Sequence, residues 1–257
     1  MTRGETGGVD PRSLHERIAA DLRAQILSGD LAPASALPST AQLKKRFDAS
    51  NATVQKALQL LKNEELVVGR AGASVTVRAR RQRTVRPSSY LAAGASGTPS
   101  RWLAETDDEA PSARSELLDV AECVPPADVR AALGTGEPDL AVRRRQLLLL
   151  GEEPAELVTS YYPAALARGT ALAVRRKIRG GAPAVLAELG VPPQRCVDRV
   201  TARVPTQEEH QLLRLPSSLP VLRTLRVAFS ADGAPVEATV MVKAGHLYEL
   251  EYGFGVA

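Results

Sequence analysis

Two small groups of residues in this 257-residue chain have the types and spacing to do chemistry. The first is Asn51, Gln55 and Gln59, at i, i+4 and i+8, with Lys56 and Lys62 beside them. On a helix that spacing lines up three amides along one stripe. A carboxamide donates and accepts at once, so Asn and Gln pair bidentately with an adenine edge, while lysines meet phosphates. A solvated helix face is the alternative reading. The second group is Arg143 and Arg145. Two apart on a strand they point to one face, where paired guanidiniums hold a carboxylate or a phosphate. The alternative is a sheet surface on which they pair with acids such as Glu156. His15, His210 and His246 are isolated, Cys123 and Cys196 have no nearby base, and neither a glycine-rich phosphate loop nor metal-ligand spacing occurs. No catalytic residue, cofactor or metal site is therefore expected.

The elements that must position the amides can be read locally. Leu14, Ile18, Leu22 and Ile26 give a helix over Ser13–Ser28 one apolar face, with Gly29 as its C-cap. Ser39 and Gln42 form a capping box for a short helix carrying Leu43 and Phe47 on its inner side. Asp48-Ala49 makes a turn, since Asp tolerates left-handed backbone angles. Ser50 caps a second helix whose Val54, Leu58 and Leu61 face a core and leave the amides outward. Leu66-Val67-Val68, a Gly69-Arg70-Ala71-Gly72 tip, then Val75 and Val77 predict a hairpin with a basic tip. A helix pair followed by such a wing is a DNA-reading unit.

Charge divides along the same line. Residues 1–90 hold 15 Lys and Arg against 8 Asp and Glu, and residues 91–257 hold 18 against 21, within an overall +4. A basic first part joined to a mildly acidic second one points to a phosphate-facing module attached to something with another task. At 44% apolar content the chain has ample material for folded cores, and at 4% aromatic those cores must be aliphatic. Two distant cysteines fit a reducing compartment. The first twelve residues carry no apolar run, and Leu147–Leu150 is far too short to span a bilayer. A soluble cytoplasmic protein without membrane contact is expected. Residues 79–100 pass from an arginine-rich start into Ser, Ala, Gly and Pro, a linker composition.

Beyond the linker, strands are predicted over Val142–Leu150, Leu157–Tyr162, Asp198–Val204, Val221–Phe229, Val236–Val242 and Leu247–Tyr252. Helices fall at Pro125–Leu133, Ala164–Arg168, Ala182–Glu188 and Thr206–Leu213, the last with a Thr206/Glu209 capping box. Hairpin signals at Gly151-Glu152-Glu153-Pro154 and Asp232-Gly233-Ala234-Pro235 imply a largely antiparallel sheet with helices packed on it. The fold class is α+β.

The first part resembles the winged-helix reader of the GntR family of bacterial transcription regulators. The matching residues are Leu37-Pro38-Ser39, Leu43, Phe47, Ser50, Thr53-Val54, Ala57-Leu58, Leu61, Leu66-Val67 and Gly72. It departs where many members carry arginines, at Ala41, Asn51 and Gln55, and at Ser74 in place of a second wing glycine. The resemblance implies a winged helix-turn-helix over 11–78 whose DNA contacts come from Ser39, Thr40, Lys44, Lys45, Ser50, Asn51, Ala52, Thr53, Gln55, Lys56, Arg70 and Gly72. The departures imply a different operator, with Asn51 and Gln55 on bases.

The second part resembles the UTRA effector domain of the HutC subfamily. Its matches are Arg143 and Arg145, Gly151–Pro154, Ser160-Tyr161-Tyr162-Pro163, Ala202–Thr206 with Glu209, and Gly233–Glu237. That implies a domain over 101–257, similar in fold to chorismate lyase, which dimerises and binds a small molecule. The implied effector-binding residues are Arg143, Arg145, Ser160, Tyr162, Glu237 and Tyr248, a set suited to an anionic ligand. Expected partners are double-stranded DNA with an inverted-repeat operator, a small-molecule effector and a second copy of the chain. A plasmid-maintenance repressor whose second domain only dimerises, and a lyase-like enzyme, are the rival readings.

Overall fold

The computed structural model describes residues 10–69, 74–79, 83–87, 113–135, 139–178, 180–216 and 219–253. They form two compact units that divide near residue 81.

The N-terminal unit holds α1 (Leu14–Ser28), α2 (Thr40–Phe47), α3 (Asn51–Asn63), β1 (Val67–Val68) and β2 (Thr76–Val77). Each helix starts where the sequence places a cap. The Ser13 amide donates to the Glu16 carboxylate at 2.8 Å, and Ser39 and Gln42 bond each other reciprocally. The Ser50 hydroxyl accepts from the Thr53 amide at 3.1 Å. Asp48 takes the left-handed conformation at φ 47° and turns the chain between α2 and α3. Ile18, Leu22, Leu43, Val54, Leu58 and Leu61 close on one another in a single aliphatic core. The wing pairs Val67 with Val77, and a bridge from Ala36 to Thr76 adds a short third strand. The expected wing tip, with Arg70 and Gly72, lies outside the described residues.

The second unit is built on a six-stranded antiparallel sheet in the order β4-β5-β6-β9-β8-β7. Its strands are β4 (Ala113–Cys123), β5 (Ala141–Leu150), β6 (Glu153–Pro163), β7 (Arg195–Arg203), β8 (Val221–Phe229) and β9 (Pro235–Ala244). One face is covered by α4 (Ala127–Leu133), where Val129 and Leu133 meet Tyr161, Leu225 and Ala238. It is also covered by α7 (Gln207–Leu212) and the residues just after it, where Leu213 and Leu215 reach Leu147, Leu157 and Val242. The opposite face receives α5 (Ala164–Ala167), a 3-10 turn at Ala171–Ala173 and α6 (Gly181–Glu188), which bury Leu172, Val185 and Leu186 against Val142 and Tyr162.

Three features differ from the sequence reading. β4 falls where no strand was expected. β6 begins at Glu153, four residues early, because Pro154 sits at a register shift between Leu148 and Leu149 and needs no ladder donor there. Within the expected linker, β3 (Arg83–Val85) pairs in parallel with β10 (Tyr248–Leu250), so this part of 79–100 is strand. Among the described residues no helix is long and apolar enough to cross a membrane.

Two outcomes follow from this packing. Leu61→Ala removes a fully buried side chain and destabilises the N-terminal unit by about 2–5 kcal/mol. Leu27→Ala, at a residue 69% exposed, costs less than about 0.5 kcal/mol; urea titration distinguishes the two. In the second unit burial alone would raise the Glu209 pKa, but bonds from Arg203 at 2.7 Å and from the Thr206 amide hold it below the usual 4.5. Its stabilisation is complete above pH 4.5 and drains away as pH falls through the lower folded value. Glu209→Gln should therefore lower the melting temperature at neutral pH and flatten its dependence on pH below 4.5.

Candidate functional site

The outer face of α3 carries Asn51, Gln55 and Gln59, all exposed, while Val54, Ala57, Leu58 and Leu61 on the same helix are buried. Gln59 donates to Asn63 at 2.8 Å, which leaves Asn51 and Gln55 as the freer amides. The Ser50 and Thr53 hydroxyls are 2.8 Å apart and fix the start of the helix. Ala52 and Lys56 flank the amides and are exposed, as are Ser39, Lys44 and Lys45; Thr40 is half-buried. Several cations nearby are already neutralised within the chain. Arg46 pairs with Asp21 at 2.8 Å, Arg23 with Glu64 at 2.5 Å and Arg78 with Glu65. Lys44, Lys45 and Lys56 have no such ion pair among the described residues, so their charge faces solvent.

In the second unit the ladder decides which side chains meet, because directly opposed residues of an antiparallel sheet share a face. Arg144, Ser160, Thr239, Arg226 and Asp198 stand in one row across five strands. The next row along the strands brings in Tyr162, Glu237 and Cys196. The Tyr162 hydroxyl and the Thr239 hydroxyl both donate to Glu237 Oε1, at 3.1 and 2.7 Å, and Ser160 Oγ lies 2.8 Å from Thr239 Oγ1. Arg226 makes two 2.7 Å bonds to Asp198. In the other direction comes a partly open row of Gln146, Val158 and Met241, then the buried pair Lys243–Glu156 at 2.8 Å. Glu156 Oε2 is buried without a hydrogen-bond partner among the described residues.

The arginine expectation needs correcting. Arg143 and Arg145 do share a face, but it is the face opposite Ser160, Tyr162 and Glu237. Arg143 is opposed to Tyr161 and bonds Asp119 at 3.1 Å; Arg145 lies 3.6 Å from Asp119 and 2.6 Å from Glu208 on α7. Both are ion-paired, though not with Glu156, whose partner is Lys243. The arginine on the Ser160 face is Arg144, 3% exposed, whose guanidinium donates to the carbonyls of Leu172, Val174 and Arg176 at 2.7–2.9 Å. An alternation of two shows that 143 and 145 go together; only the register with β6 shows which face they take. Tyr248 is buried with its ring centroid 6.0 Å from Lys243 Nζ. Arg144, Thr239, Arg226 and Asp198 were missed, although the run Arg143-Arg144-Arg145 placed an arginine on each face by necessity.

The protonation states suit holding a ligand. Burial pushes the Tyr162 hydroxyl well above its usual range, so it stays a donor. Burial also pushes the Cys196 thiol up to about 11, so it is not a thiolate at neutral pH. Burial lowers the Arg144 pKa without uncharging so strong a base. A separate surface depression of about 590 Å³ is lined by Leu150–Pro154, Leu213 and Arg214 and includes none of the expected residues.

Comparison with known proteins agrees with both units. Residues 14–77 match the gntR family of bacterial regulatory proteins, and residues 111–249 match the UTRA domain. The chain is 30% identical over 258 residues to the HTH-type transcriptional regulator SCO4628 of Streptomyces coelicolor, covering 95% of this chain and 92% of that one. A crystal structure of a GntR-family transcriptional regulator superposes with a TM-score of 0.66 at 25% identity, over 96% of this chain and 99% of the other. PhnF from Mycobacterium smegmatis shares the fold, with a TM-score of 0.55 at 19% identity over 93% of this chain and 100% of that one. The chain therefore belongs to the GntR family, as a transcription regulator that joins a DNA-binding helix-turn-helix domain to an effector-binding UTRA domain.

Proposed function

We propose that this regulator is a cytoplasmic repressor that binds an inverted-repeat operator as a homodimer, and that a small molecule seated on the sheet releases it. In this reading the reader spans 11–78, the linker 79–100 and the effector and dimerisation domain 101–257, with Arg83–Val85 working as part of the effector domain. Asn51 and Gln55 meet base edges. Ser39, Thr40, Lys44, Lys45, Ser50, Ala52, Thr53 and Lys56 lie toward phosphates, where the starts of α2 and α3 also offer backbone amides. Arg70 and Gly72, at the wing tip expected from the sequence, complete the set.

The observation that carries the effector half is the polar row Arg144–Ser160–Thr239–Arg226, with Glu237 and Tyr162 beside it and a partly open row next to it. Polar side chains gathered on one sheet face, beside the aliphatic cluster of Val142, Leu172 and Leu186, suit a polar ligand better than a core. An anionic ligand would meet Arg144 and Arg226 there, while Arg143 and Arg145 drop out of the site. The row acts by binding: Tyr162 and Cys196 stay protonated, and no activated nucleophile stands in the row among the described residues. A twofold dimer on an inverted repeat follows from the need to place two readers on successive half-sites. The effector must favour one arrangement of the readers by about 1–3 kcal/mol to make a useful switch.

Titrations on duplexes tiled across the DNA upstream of its own gene test the reader. Neutralising about five phosphates gives a log–log salt slope of roughly −4 to −5. Gln55→Ala should relax preference at one base position, and Lys45→Ala should weaken all duplexes alike and reduce the slope by about 1. For the effector half, footprints with and without low-molecular-mass cell extract should show Glu237→Gln losing extract-dependent release, with Arg143→Ala retaining it. The reverse pattern would return the site to the other face.

A further inference from the structure

β3 is three residues long, stands outside the main sheet and pairs in parallel with β10 alone. So short a ribbon is marginal by itself and depends on what holds it. Three contacts do. The Val85 carbonyl accepts from the Glu251 amide at 3.0 Å. Arg86 forks onto Glu251 at 3.1 and 2.9 Å. The Pro87 carbonyl accepts from Arg226 Nη2 at 3.4 Å. The third contact is the informative one, because Arg226 also stands in the polar row, between Thr239 and its ion-pair partner Asp198.

On the other side of the same segment, the Arg78 amide donates to the Leu66 carbonyl at the base of the wing. Only residues 79–82 lie between Arg78 and Arg83. Five residue steps reach at most roughly 18 Å, so the two described ends are joined by a short stretch of sequence.

We propose that Arg83–Pro87 is a strap through which the polar row acts on the DNA reader, with Arg226 the positioning residue that joins strap to row; this rests on the reading of the polar row as the effector site. A ligand that bonds Ser160 and Thr239 competes for, or reorients, the guanidinium next to them. The Pro87 bond then strengthens or breaks, and the strap is held or let go. A three-residue ribbon held by a few polar contacts and one half-buried valine is the kind of part that opens at low free-energy cost, which a two-state switch requires.

The test locks and unlatches the strap in the full chain. Thr84 and Glu249 are direct partners; such positions on adjacent strands lie about 4.8 Å apart, within disulfide range. Thr84→Cys with Glu249→Cys, on a Cys123→Ser, Cys196→Ser background, gives an oxidised lock and its own reduced control. Arg226→Gln unlatches the end at the polar row. Glu251→Arg unlatches the exposed end without touching the core, and adding Arg86→Glu restores that pair. The probes are the tiled upstream duplexes and a random duplex, each with and without low-molecular-mass extract. Amide exchange at residues 83–87 and 248–251 reports the strap directly.

The expected result is that locked and unlatched forms differ in specific duplex affinity by at least about fivefold, the lower end of allosteric coupling factors. The lock should abolish the response to extract, and the charge swap should recover what Glu251→Arg loses. Affinities within twofold across lock, reduced control and unlatched forms, with the extract response intact, would overturn the strap and leave the effector reading standing. A wild type that prefers no duplex over random would overturn both.

Discussion

Charge is not buried without partners, and the way this chain meets that demand on one sheet face fixes the geometry of its effector domain. Arg144, Arg226 and Lys243 are each less than 10% exposed on the same face. Each finds a different solution. Lys243 takes the Glu156 carboxylate, Arg226 takes Asp198 and the Pro87 carbonyl, and Arg144 takes the carbonyls of the turn that follows Leu172. Those partners belong to different elements, so satisfying three cations ties together the strap, the edge strand β7 and the 3-10 turn.

The reader follows a simpler logic. Its helices are short, and α2 has eight residues, so caps and one apolar core settle where each begins and which way it faces. With Val54, Leu58 and Leu61 committed to that core, Asn51 and Gln55 have nowhere to go but outward. Internal pairing of Arg23, Arg46 and Arg78 concentrates the free positive charge on Lys44, Lys45 and Lys56, beside the amides. Shape and charge agree on one face.

The sequence made these local features legible because capping boxes, helical periodicity and turn residues act over three to eight positions. Ser13, Ser39, Ser50 and Thr206 each stand where a helix begins. Features that depend on distant partners were hidden. β4 carries Arg114, Glu116, Asp119 and Glu122 and has no run of apolar alternation, since an edge strand needs its pattern on one side only and a register shift at Leu117/Asp119 breaks even that. β3 and β10 are more than 160 positions apart. The arginine run illustrates the limit most clearly. Period-two alternation grouped Arg143 with Arg145 correctly, yet the choice of face came from the pairing of Arg144 with Ser160, which no local pattern contains.

The claim on which the rest depends is that the α3 face reads duplex sequence. Its most direct measurement is a selection of duplexes bound by the full-length protein from a random-sequence pool, followed by sequencing of the bound fraction. The account predicts enrichment of two copies of one short element in inverted orientation, spaced by about one helical turn. A bound fraction with the same sequence statistics as the starting pool would contradict it.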